Sequence, residues 1–64
     1  METTYYFFVN KTGYYLGEIK TFLPVLLGKV FEFVGEDGEK HLYYVIDFAP
    51  DVTNNVRSAI VERI

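Results

Sequence analysis

Glu36-Asp37-Gly38-Glu39 interrupts two β-forming runs between Lys29 and Phe48, and it constrains this chain more than any other feature. Asp-Gly between alternating apolar segments is the strongest short-range hairpin signal and calls for a two-residue type I′ turn. With Asp37-Gly38 as the loop, Phe33 faces Leu42 and Phe31 faces Tyr44. Phe31, Phe33, Leu42, Tyr44, Ile46 and Phe48 then share one face. A three-residue loop sets Phe33 opposite His41 and divides that set between two faces. A one-residue slip flips every side chain, so the pattern favours the two-residue loop. Its one defect is to make Glu36 and Glu39 cross-strand neighbours, a like-charge pair.

An earlier hairpin spans Thr4 to Lys20. Tyr5-Tyr6-Phe7-Phe8-Val9 is rich in β-forming aromatic and branched side chains. It breaks at Asn10-Lys11-Thr12-Gly13 and resumes at Tyr14. Gly13 suits the left-handed position of a three-residue loop with a G1 bulge. Tyr5, Phe7, Val9, Tyr15 and Ile19 then face one way, and Tyr6, Phe8, Leu16 and Glu18 the other. Gly17, inside the second strand, marks a bulge or a close backbone approach.

Helical spacing appears twice. Ile19, Phe22, Leu23, Leu26 and Leu27 allow a short helical crossover from Thr21 to Gly28, with Pro24 in its first turn; an irregular crossover is the alternative. After Pro50, with Asp51 as N-cap, Val52, Val56, Ala59, Ile60 and Ile64 form one stripe. That stripe predicts a C-terminal helix, with Arg63 suiting its negative end. The expected class is α+β: two β-hairpins in a small antiparallel sheet, able to curl into a partial barrel, with one C-terminal helix and a short helical crossover. Residues 1–64 make a single small domain.

A chain of 64 residues buries only roughly 60% of its unfolded surface. With no cysteine it has neither a disulfide framework nor a thiolate ligand or nucleophile. The acidic start, Met1-Glu2-Thr3-Thr4, lacks the positive region of a signal peptide, and no apolar run reaches the roughly 18 residues that span a bilayer. The cytoplasm is the expected compartment, without membrane contact.

Half the residues are hydrophobic, more than one helix on one sheet face can use. The second hairpin's opposite face keeps Val30, Val34, Tyr43 and Val45 beside Glu32 and Asp47, and the first leaves Tyr6, Phe8 and Leu16. A sheet with one wet side carries polar residues there. Either the strands curl and bury this face, or another chain covers it. Tyrosine-rich surfaces favour the second arrangement. The candidate interface is therefore Val30, Glu32, Val34, Tyr43, Val45, Tyr6, Phe8 and Leu16, and the expected partner is a second copy or another protein.

Chemistry is sparse. His41 is the only histidine and, in this register, faces outward; Ser58, the only serine, lies on the polar side of the expected helix. No nucleophile–base pairing follows. Glu36, Asp37 and Glu39 crowd a hairpin tip with no further ligand, which suits turn chemistry better than a metal. The glycines match neither the dinucleotide fingerprint nor the P-loop. No catalytic, cofactor or metal site is assigned, and a non-catalytic, self-associating interaction module is the expected role. The alternative is single-stranded nucleic-acid binding, with Tyr6, Phe8 and Tyr43 as a stacking platform edged by Lys11, Lys20 and Lys40. A formal charge of −3 and the spread of the lysines argue against it.

Overall fold

The computed structural model describes residues 1–50 and 53–64 and is all-β. Five strands, β1 (Thr3–Val9), β2 (Tyr15–Thr21), β3 (Val30–Val34), β4 (Lys40–Phe48) and β5 (Val56–Arg63), form one sheet in the order β2-β1-β5-β4-β3. Every neighbouring pair is antiparallel except β1 and β5, which run parallel. The sheet curls until it is nearly a closed barrel. The edge strands β2 and β3 approach where the Phe33 ring lies against Gly17, 3.5 Å from the point a Cβ there would occupy.

The expected C-terminal helix is absent, and the α+β class is corrected to all-β: residues 56–63 are the central strand. Ala59 and Val61 are buried while Val56, Ser58, Ile60 and Glu62 alternate with them. A strand apolar on both faces has no clean two-residue period, so its side chains also fit a helical stripe. An isolated helix of this length is marginal. As a strand, the same segment satisfies the backbone edges of both β1 and β4, which a covering helix would leave unpaired. The N-cap and stripe positions Asp51 and Val52 lie outside the described residues. Asn55 takes a left-handed φ of 63° in the turn that leads into β5.

The crossover also contains no helix; the irregular alternative holds, with a turn closed by the Lys29 N–H on the Leu26 carbonyl at 3.1 Å.

The register of the second hairpin is the other correction. Phe33 pairs with His41 and Phe31 with Tyr43, the register of a three-residue loop. Gly35 and Glu39 close that loop through a 2.8 Å bond, and Gly38 sits at φ 83°, the left-handed position of a G1 bulge. A Cβ on Gly35 would lie 2.6 Å from the Tyr43 hydroxyl, so a side chain at residue 35 would displace Tyr43 or the loop. Phe31 and Phe33 therefore share the inner face with Tyr43 and Val45, whereas Leu42 and Tyr44 turn outward. A bulge between Val45 and Asp47 reverses the parity again and brings Phe48 opposite Ala59.

The first hairpin keeps its expected register from Tyr5↔Ile19 to Phe7↔Gly17. Beyond that, Leu16 is an extra residue, and Tyr15 moves to the outer face opposite Phe8. Gly17, at φ 149°, absorbs the irregularity.

The core is aromatic. Phe7 is fully buried, its ring 4.9 Å from Phe31 and 5.0 Å from Phe33, with Tyr5, Tyr43, Val45, Ala59, Val61 and the crossover's Val25 around it. The Arg57 guanidinium lies 4.4 Å over the Phe48 ring, a cation–π contact.

Candidate functional site

The structure divides the expected interface residues between two faces. Tyr43 and Val45 are 4% and 1% exposed and belong to the core, which the three-residue loop explains. Leu16 is half-buried at its bulge and packs against the core. Val30, Glu32 and Val34 remain exposed on the outer face of β3, and Tyr6 and Phe8 are half-buried on the outer face of β1. The inner residues left this surface, and Leu42, Tyr44 and Tyr15 joined it.

Register makes the outer residues into an apolar band that two carboxylates interrupt, Asp47 opposite Ile60 and Glu62 opposite Tyr44. Tyr15 pairs with Phe8, and Phe8 with Ile60; one step along, Tyr44 pairs with Val30. The Tyr15 ring lies 5.4 Å from Phe8 and 6.2 Å from Tyr6. Desolvation, then the Glu18 and Tyr6 charges, raises the Tyr15 phenol above its ordinary value. Tyr15, Val30, Val34 and Leu42 are each between 44% and 52% exposed. Outward-facing apolar residues thus occur on all five strands, whereas water-facing strands of a small barrel are ordinarily polar.

A second site escaped sequence reasoning. His41 does not face outward, because the corrected register turns it to the inner side at one end of the barrel, where its side chain is 15% exposed. Its Nε2 lies 2.7 Å from Asp37 Oδ2, while Asp37 Oδ1 accepts the Glu39 N–H at 3.0 Å. These two bonds, the backbone one first, hold the Asp37 carboxyl below the usual aspartate range, with Arg63 adding a smaller pull. Asp37, His41, Tyr14 and Arg63 line a cleft of about 240 Å³. The pair locks the hairpin tip: Asp37 caps the turn and His41 stands edge-on to the Tyr43 ring at 6.4 Å. The four-residue spacing across an Asp-Gly turn was the signal available. Ser58 faces outward beside Tyr6 on β5 and is not part of this cleft. Among the described residues no group of three metal-ligating side chains converges.

The crossover between β2 and β3 forms the third feature. Phe22, Leu23, Leu26 and Leu27 are 64–76% exposed, yet the loop that bears them is tied down at both ends and in the middle. Leu23 N–H bonds Thr21 Oγ1 at 3.0 Å, Val25 N–H bonds the buried Tyr5 hydroxyl at 3.2 Å, and Gly28 N–H bonds the Val45 carbonyl at 2.7 Å. Beneath it, Ile19, Val25, Leu26 and Phe31 line an apolar cleft of about 280 Å³ with Lys29 at its edge.

No protein-family model, no curated protein and no solved structure matches this chain.

Proposed function

We propose that the chain is a non-catalytic protein–protein interaction module that self-associates through the outer face of its barrel. The observation that carries this reading is the outward apolar band, in which Tyr15, Phe8 and Ile60 pair in register across β2, β1 and β5, and Tyr44 with Val30 across β4 and β3, with Asp47 and Glu62 between the two groups. Tyrosine supplies contact area with a tip that tolerates water, and such residues are enriched where chains meet. A standard interface takes roughly 800 Å² from each partner. The chain exposes 4464 Å², so such an interface uses about a fifth of it. A two-fold arrangement matching the band to itself needs no second protein.

The test is the mass in solution. Light scattering should give twice the 7.5 kDa chain mass, and Leu42→Lys combined with Tyr15→Lys should halve it without altering the far-UV CD spectrum. A monomer at every concentration defeats the reading.

The Tyr6–Tyr15–Phe8 cluster supports a second reading, stacking of unpaired bases. Its rings lie at 42–46° to one another, and Tyr43, buried, takes no part in such a platform. Salt-dependent binding of a labelled oligonucleotide, lost in Tyr15→Ala, would favour it over self-association.

A further inference from the structure

The crossover loop lies apart from the outer band and carries a different chemistry. From Ile19 to Phe31 the sequence contains Lys20 and Lys29 and no carboxylate, although the chain as a whole is acidic, with nine Asp and Glu residues. The other cations, Lys11, Lys40, Arg57 and Arg63, fall outside this stretch. Within it stand Phe22 at 73% exposure, Leu23 at 76%, Leu26 at 65% and Leu27 at 64%, the largest concentration of exposed apolar side chains in the described chain. Isolated exposed apolar residues are ordinary; four within six positions are not.

The loop does not bury these side chains although it is held firmly. Val25 points inward and is 8% exposed, anchored by its N–H on the Tyr5 hydroxyl, and Gly28, at φ 87°, returns the chain to β4. Phe22 and Leu23 precede the anchor, and Leu26 and Leu27 follow it. The apolar residues are thus presented in a fixed arrangement, with little ordering left to oppose binding.

We propose that this loop docks the domain peripherally on an anionic lipid bilayer, Phe22, Leu23, Leu26 and Leu27 entering the interface while Lys20 and Lys29 meet the headgroups. Binding of this kind scales with apolar area inserted and with attraction to anionic lipid. The charge of the stretch selects the occupant. A second copy on a two-fold axis would match the patch with itself and bring Lys20 and Lys29 against their own counterparts. An anionic surface pairs with both lysines at once.

Co-sedimentation with vesicles of phosphatidylcholine and phosphatidylserine tests the assignment, with pure phosphatidylcholine vesicles as the comparison. Binding to the anionic vesicles should fall at least about tenfold in Phe22→Ser/Leu26→Ser, and each of Lys20→Gln and Lys29→Gln should cost roughly fivefold. Both apolar side chains are exposed, so far-UV CD should be unchanged in the double variant. The chain has no tryptophan, so Phe22→Trp adds an independent readout: its emission should shift to the blue with anionic vesicles and not with neutral ones. Absence of binding at low salt, binding indifferent to Phe22→Ser/Leu26→Ser, or an unshifted indole emission from the Phe22→Trp variant overturns the proposal. So does a dimer that Phe22→Ser/Leu26→Ser converts to monomer, which would give the loop to a second copy.

Discussion

The Tyr5 hydroxyl accepts the Val25 backbone N–H at 3.2 Å, joining the barrel core to the crossover twenty residues away. Both residues are buried, at 5% and 8% exposure, so this bond fixes a loop that otherwise meets the barrel mainly at its two ends. The orientation of the four exposed apolar side chains depends on it.

Tyr5→Phe leaves that N–H buried without an acceptor, at a cost of about 1–3 kcal/mol. The Val25 amide should lose hydrogen-exchange protection well beyond the global change, while the amides of β4 and β5 keep theirs. Equal loss everywhere would show that the crossover is not held by this bond.

Gly35→Ala tests the register of the second hairpin. A Cβ there would lie 2.6 Å from the Tyr43 hydroxyl and 3.0 Å from His41 Cδ2, so Tyr43 or the loop must move. Overpacking of this kind costs about 1–3 kcal/mol, read as a lower urea midpoint. In the two-residue-loop register, Tyr43 would face outward and the substitution would be nearly neutral.

Asp37 gives the domain an acid limb. Its carboxyl is held below the ordinary value, first by the Glu39 N–H and then by His41. The ionised form is therefore favoured in the folded chain. Its contribution is fully present above the unfolded-state pKa of about 3.9 and is lost as pH falls through the lower folded value. The urea midpoint should decline on acidification over that range, and Asp37→Asn should decline less. The carboxylate is exposed on a hairpin tip, so the difference is small. An unchanged acid dependence in Asp37→Asn would remove the role assigned to the His41–Asp37 pair.

Phe7→Ala removes the ring that Phe31 and Phe33 both pack against. A fully buried Phe→Ala change costs about 3–5 kcal/mol, comparable with the whole stability of a domain this small. The variant should be largely unfolded by near-UV CD at room temperature. A cooperative transition at the wild-type temperature would place the core elsewhere.

The two hairpins were legible in the chain; the barrel, with its central strand, was not. The runs around Tyr5–Val9 and Phe31–Val34 could only be strands, and Gly13 and Gly38 marked turns because both hold a φ that other residues rarely adopt. The first hairpin's register, read from a three-residue loop ending at Gly13, holds from Tyr5 to Phe7; nearer the turn Val9 pairs with Tyr14 across the four residues Asn10 to Gly13, and the bulge that Gly17 announced takes up the difference. The outer band was legible only in part. Val30, Val34, Tyr6 and Phe8 do lie on the outer face, but Tyr43 and Val45 do not, because one residue of loop length separates the two registers of an Asp-Gly hairpin. The His41–Asp37 pair was lost with that same residue.

Local pattern settled the hairpins because their partners lie close in sequence and alternate cleanly. The fate of Val56–Arg63 was settled by residues far away. Phe7 pairs with Ala59, and Val45 with Val61, and only the assembled β1 and β4 offer the unpaired backbone edges that draw this segment out of a helix. A helix satisfies its own hydrogen bonds and can be read from its own residues; a central strand satisfies its bonds through two neighbours, and no local spacing records where those neighbours will be.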